Sequence, residues 1–179
     1  MKPHRCFFVI DGSNFYFKLK DLKLQHLLEF DFSSFAQFLV GSHRLVLCRY
    51  YVGAVRTGRP EKTKTMHADQ QKLFAHLKKH KFSYALGYLL RYDDHFHEKG
   101  VDVEMAVDML IATYEDTADH IILVSSDTDL LPAIKKVREK GKTVEYVGFS
   151  HSPSLAMVAN CSESRLLKAE DIHPFISKK

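Results

Sequence analysis

Apolar positions along the chain alternate between short unbroken runs and stripes at helical spacing, which predicts strands and helices in turn. The run Cys6-Phe7-Phe8-Val9-Ile10 closes on Asp11-Gly12, the pattern of a strand buried on both faces. Ser33-Ser34 can cap a helix that carries Phe35, Phe38 and Leu39 on one face. Leu45 to Val55, rich in Val, Leu and Tyr, reads as a second strand, and Thr57-Gly58-Arg59-Pro60 as a basic loop. A helix is expected from Thr65 to His80 with Met66, Leu73 and Leu77 stacked. Ser83 to Leu90 then reads as a strand and Arg91 to Gly100 as a polar loop. Val101 to Tyr114 follows as a helix, Ile121 to Val124 as a buried strand, and Leu130 to Lys140 as a helix. In that last helix Pro132 lies in the first turn, where its missing N–H costs nothing, and Gly141 provides the stop. Val144 to Val147 is a final strand and Ser154 to Asn160 a short helix.

Strand and helix in this order argue for an α/β fold in three layers, a mostly parallel central sheet with helices on both faces. A length of 179 residues suits a single domain over 1–179, and no repeat or linker divides it. No apolar run approaches the roughly 20 residues needed to span a bilayer. The first apolar run is also cut short by Asp11, so it reads as a strand and not a signal peptide, and a cytoplasmic address is expected. Cys6, Cys48 and Cys161 are odd in number, far apart and set among apolar neighbours, so buried reduced thiols are expected in place of disulfides or a zinc site.

The net charge of +4 is mild, but its distribution is uneven. Arg56, Arg59, Lys62, Lys64, Lys72, Lys78, Lys79 and Lys81 are opposed in their stretch only by Glu61 and Asp69. That excess would suit a polyanion lying across one edge of the protein, with Arg56, Arg59, Lys62, Lys64, Lys78 and Lys79 as candidate contacts. From charge alone, a solvated helix face beside a loop is the slightly better account.

Ligands of parallel sheets bind beyond the carboxyl ends of the strands, and two strands here end in acidic residues. One gives Ile10-Asp11-Gly12-Ser13-Asn14, the other Val124-Ser125-Ser126-Asp127-Thr128-Asp129. A third group, in Gly100-Val101-Asp102-Val103-Glu104, sits where a loop enters a helix. Asp127 and Asp129 project to the same side in extended chain, and Asp129 can also cap the next helix. If the strands are neighbours, the carboxylates converge in a shallow cleft. Crowded carboxylates repel one another, and hard oxygen ligands suit Mg²⁺ or Mn²⁺. Such an ion can activate water and neutralise charge on a phosphodiester, so acidic cluster and basic edge together point to nucleic acid. Asn14 and Ser126 can orient water or phosphate, or simply form turns. Asp108, six residues beyond Asp102, is a candidate second carboxylate of the same helix.

These residues resemble the NYN domain family, a branch of the PIN-like nucleases that includes LabA-like proteins. The resemblance is carried by Phe8-Val9-Ile10-Asp11-Gly12-Ser13-Asn14, by Glu98-Lys99-Gly100-Val101-Asp102-Val103 with Ala106-Val107-Asp108, by Leu123 to Asp129, and by Gly141-Lys142-Thr143-Val144-Glu145. It runs over nearly the whole chain, departing from the common pattern at Ser126, where Gly is frequent, and at Leu130, where an aromatic is. It implies a PIN-like fold and a Mg²⁺- or Mn²⁺-dependent ribonuclease. It places metal binding and catalysis on Asp11, Asp102, Asp127 and Asp129, with Asn14, Asp108 and Ser126 in support. A catalytically silent RNA-binding or scaffold protein with the same fold is the alternative.

Other features are given plainer roles. His95-Phe96-His97 reads as surface loop, and His67, His76 and His80 as a solvated or RNA-facing helix face. Of Phe15, Tyr16 and Phe17, at least two are expected in the core, leaving one to stack on a base of single-stranded RNA. Ser83 to Leu90 is a candidate sheet edge for pairing with a second copy.

Overall fold

The structure, a computed structural model, describes residues 3–55, 61–92 and 95–176. Its elements run β1 (Arg5–Asp11), α1 (Gly12–Asp21), α2 (Phe32–Val40), β2 (Arg44–Ala54), α3 (Glu61–Lys79), β3 (Ser83–Tyr92) and β4 (His95–Lys99). They continue through α4 (Val101–Tyr114), β5 (His120–Val124), α5 (Leu131–Glu139), β6 (Thr143–Phe149), α6 (Leu155–Asn160), β7 (Glu163–Leu167) and α7 (Ala169–Ile172). One sheet holds the strands in the order β4-β3-β2-β1-β5-β6-β7. All neighbours are parallel except β4, which runs antiparallel to β3.

The expected three-layer α/β architecture is present. Phe7, Phe8, Val9 and Ile10 of β1 are at most 1% exposed, so this strand is buried on both faces, as its unbroken apolar run requires. Phe8 and Ile10 meet Phe15 and Leu19 of α1, Phe32 and Phe35 of α2 and Leu77 of α3. Phe7 and Val9 meet Met105 and Met109 of α4, Ile134 of α5 and Met157 of α6. Each such side chain contributes about 1.5–3 kcal/mol by leaving water, and this pins the register of the central strands. The three thiols are free and buried, and burial pushes Cys48 up to about 12.

Several local expectations change. The cap of α2 is Asp31, whose carboxylate accepts from Ser34 N at 3.0 Å, and not the Ser33-Ser34 pair; Phe38 on this helix is exposed. The helix begins at Phe32, earlier than a serine cap would place it, so Asp31 takes the orphan N–H of Ser34. Gly12–Asp21 is a helix that no clean apolar stripe announces. Of its three aromatics only Phe15 is buried, whereas Tyr16 and Phe17 are 36% and 58% exposed, contrary to the assignment of two of the three to the core. The polar segment after Arg91 is not all loop, because it forms the end of β3 and the edge strand β4. With β4 and β7 at the edges, β3 is no free edge for a second copy. The loop expected at Thr57–Pro60 lies outside the described residues. His76 and His80 turn inward: His76 Nε2 lies 2.8 Å from Phe30 O, and His80 Nδ1 lies 3.0 Å from Ser33 Oγ. Both rings pack edge-on against Phe32, so they fasten α3 to α2 and do not form a solvated face.

Candidate metal centre

The strand order places the site. From β1 the chain winds outward through β2 and β3, then returns to lay β5 against the other side of β1. The connections leaving β1 and β5 go to opposite faces of the sheet, since α1 lies with one half of the core and α5 with the other. A crevice opens at such a switch point, beyond the carboxyl ends of the two strands. Asp11 ends β1, and Asp127 follows β5 by three residues.

Gly12 is required by space at this corner. A Cβ there would lie 2.3 Å from Tyr50 Cε1 and 2.7 Å from Tyr51 O. Without it, α1 starts directly on Asp11, whose Oδ1 accepts from Asn14 N at 3.0 Å. Asp127 caps in the same way: its Oδ1 accepts from Asp129 N at 2.9 Å and opens the 3₁₀ turn Thr128–Leu130 that leads into α5. Asp102 lies in the first turn of α4, after Gly100 at a positive φ of 79°. All three carboxylates thus sit where helical N–H groups are unpaired and carry partial positive charge, which offsets part of their mutual repulsion.

One ligand oxygen from each of Asp11, Asp102 and Asp127 lies within 4.8 Å of the others. Asp11 is only 5% exposed, while Asp102 and Asp127 are half-buried. Three like charges this close, one of them buried, are costly unless a cation joins them. An all-oxygen donor set open to water on one side fits Mg²⁺ or Mn²⁺. The residues present therefore fit a divalent ion.

Ser125, which the sequence did not single out, organises the cluster. It is 1% exposed; its hydroxyl donates to Asp11 Oδ2 at 2.9 Å and accepts from Asp127 N at 3.1 Å. One side chain thus fixes two of the three acidic residues relative to each other. The available signal was its place directly after the apolar run of β5.

The other candidates take different places. Asp129 is exposed and lies in a 3₁₀ turn instead of extended chain; α5, which it was expected to cap, has Leu130 at its N-cap and no side-chain cap bond. Ser126 Oγ contacts the Tyr146 hydroxyl at 3.0 Å. Asn14 is half-buried beside Asp11 and reaches it through its backbone N–H. Asp108 lies further along α4, where its Oδ2 accepts from Arg49 Nη1 at 2.6 Å and from the Tyr51 hydroxyl at 2.7 Å. This ties α4 to β2; burial and the Asp108 carboxylate push the Tyr51 hydroxyl far up, so it stays a donor.

Of the basic candidates, Arg56 and Arg59 lie outside the described residues. Lys62 and Lys64 belong to the start of α3, on the side where β2 ends. Lys78 and Lys79 close the helix. At 1.5 Å per residue its 19 residues carry them about 25 Å away, to the opposite end of the sheet.

A family model described as the NYN domain matches residues 7–168, a span that contains every acidic residue of the cluster. Over 57 residues the chain is 44% identical to an uncharacterized protein of Methanocaldococcus jannaschii, a match covering 32% of this chain and 24% of that protein. A crystal structure of a protein of unknown function from Vibrio parahaemolyticus superposes with a TM-score of 0.66 at 20% identity, covering 98% of this chain and 97% of that one. The T5 5′-exonuclease with zinc bound aligns with a TM-score of 0.44 at 16% identity, over 87% of this chain and 60% of its own.

Proposed function

Because this chain belongs to the NYN domain family, we propose that it is a Mg²⁺- or Mn²⁺-dependent ribonuclease of the LabA-like kind, hydrolysing single-stranded RNA at the Asp11 corner. The observation that carries this reading is the approach of Asp11, Asp102 and Asp127 to within 4.8 Å at the sheet's switch point.

These three residues would hold the ion, which supplies an activated water and neutralises the charge that develops on the phosphodiester. The protein's own groups set the stage. Ser125 fixes the Asp11 carboxylate, and the caps of α1 and of the turn after Asp127 hold two acidic side chains in place before substrate arrives. Asp129, exposed on the rim, is assigned to a water or a second ion, and Asn14 to a phosphate oxygen. Tyr16 and Phe17 leave α1 on its exposed side, and Tyr16 lines a cleft of about 510 Å³ with Leu27, Leu28, Gln70 and Leu73. A base stacking there would draw the strand past Asp11. Lys64, near the start of α3, is assigned to extend the track for the phosphates. Three free, buried thiols agree with a reducing, cytoplasmic setting.

The test is cleavage of end-labelled single-stranded RNA in Mn²⁺, Mg²⁺ or EDTA, parent beside Asp11→Asn, with melting curves to verify folding. Metal-dependent cutting that disappears in the variant is the expected result. Folded parent protein that cuts RNA under no metal would overturn the assignment in favour of an RNA-binding or scaffold role.

A further inference from the structure

The end of the sheet opposite Asp11 holds a second cluster of chemistry-bearing side chains. His120 opens β5, Glu145 lies near the start of β6 and Glu163 opens β7. The register sets Glu145 directly opposite Glu163, and His120 diagonally across from Glu145 on the same face. One ligand atom from each of the three lies within 4.8 Å of the others.

His120 is 5% exposed, and its buried Nε2 has no hydrogen-bond partner among the described residues. It lies 3.4 Å from Glu145 Oε2 without hydrogen-bond geometry. A buried ring nitrogen left this way is costly. Glu145 is also nearly fully buried, and like charges directly opposite one another on paired strands destabilise the sheet. Arg165 Nε meets Glu145 at Oε1, 2.8 Å away, which leaves Oε2 facing His120. Glu163, by contrast, is exposed.

We propose that His120, Glu145 and Glu163 form a second metal site, taking a divalent transition cation of the zinc class and fastening edge strand β7 to the sheet. The donor set separates this site from the first. One imidazole with two carboxylates is the chemistry of Zn²⁺ and its neighbours, whereas Mg²⁺ takes oxygen alone. The spacing agrees as well: two ligands about 2.0–2.1 Å from a tetrahedral ion stand about 3.4 Å apart, the separation between His120 Nε2 and Glu145 Oε2. The exposure of Glu163 gives an entry path and leaves the fourth position to water. The site would be structural, since ion binding adds to folding stability only when β5, β6 and β7 are all paired.

The experiment uses the full chain stripped with chelator and titrated with Zn²⁺ by calorimetry and with Co²⁺ by visible absorption. Parent is compared with His120→Gln, Glu163→Gln and Asp127→Asn. The expected result is that Glu163→Gln and His120→Gln each weaken one Zn²⁺ event by at least about tenfold. Both should also lose the intense Co²⁺ band of a low-coordinate nitrogen–oxygen site and the Zn²⁺-induced rise in Tm. Asp127→Asn should keep all three. Glu163 is exposed, so its variant reports on the site even where the His120 variant fails to fold. Zn²⁺ binding and Tm shifts unchanged in Glu163→Gln would overturn the proposal. So would their complete loss in Asp127→Asn, which would assign all metal to the acidic corner and none to His120 and Glu145.

Discussion

Replacing Ser125 by alanine removes a hydroxyl that is held between two of the three acidic residues. Its bond to the Asp11 carboxylate is charge-assisted and contributes about 1.5–3 kcal/mol, and the bond from Asp127 N about 1 kcal/mol more. Water can replace little of this, because Ser125 is 1% exposed. A net loss of about 2–4 kcal/mol is therefore expected in urea unfolding carried out in EDTA. The variant should bind Mn²⁺ about ten- to a hundredfold more weakly in calorimetric titration, as happens when an outer hydrogen bond to a metal ligand is lost. Ser126→Ala is the control: its Oγ contacts the Tyr146 hydroxyl instead, so it should cost about 1 kcal/mol and leave Mn²⁺ affinity unchanged. Ser125→Ala stability within about 0.5 kcal/mol of the parent, with unaltered Mn²⁺ binding, would refute the idea that this hydroxyl organises the centre.

Gly12→Ala should destabilise by about 2 kcal/mol or more in the same assay, because the new methyl meets the buried Tyr50 ring and an immovable backbone carbonyl. A Gly12→Ala variant as stable as the parent would mean that α1 can shift away from β2. Acid sensitivity should centre on the Arg5–Asp119 pair, where Arg5 holds the Asp119 carboxyl well below the usual carboxylate range, with Lys142 assisting. That stability is complete above the unfolded carboxyl's ordinary value near pH 4 and is lost as pH falls toward the depressed folded value. Urea midpoints between pH 5 and pH 2 should accordingly fall more steeply for the parent than for Asp119→Asn, and parallel curves would count against the pair. Reversing charge at Lys78 and Lys79 should change the binding of a short RNA less than about twofold across a salt series, since both lie at the far end of α3. A large loss would move the RNA track to that side.

The sequence made the central strands and the acidic corner legible because their signals are local. Continuous apolar burial wrote β1 and β5 directly into composition, and a carboxylate after each run marked the corner. What stayed hidden depended on geometry that neighbours decide. Asp127-Thr128-Asp129 suggests two parallel carboxylates, but the capping bond from Asp129 N to Asp127 curls the segment into a turn. Ser125 and Ser126 are the same residue type, and only the phase of β5 decides which one points at Asp11. Asp108 has the right type for the cleft, yet Arg49 and Tyr51 claim it. Edge strands β4 and β7 carry few apolar residues, since most of β7 faces water. Helix α1 was masked by three consecutive aromatics that no helical period separates.

Asp11, Asp102 and Asp127 are supplied by segments remote along the chain, and the last of them depends on β5 docking against β1. On the ribosome, β1, β2 and β3 can pair as soon as they emerge, but they present an open flank where β5 will go. The acidic centre is therefore expected to be absent from every nascent chain that has not yet exposed residues beyond Asp127. It would arise late, through a long-range closure of the kind that slows folding. Under the ribonuclease activity proposed above, such timing would separate synthesis from activity, so that a polypeptide still tethered beside its own message would carry no working blade.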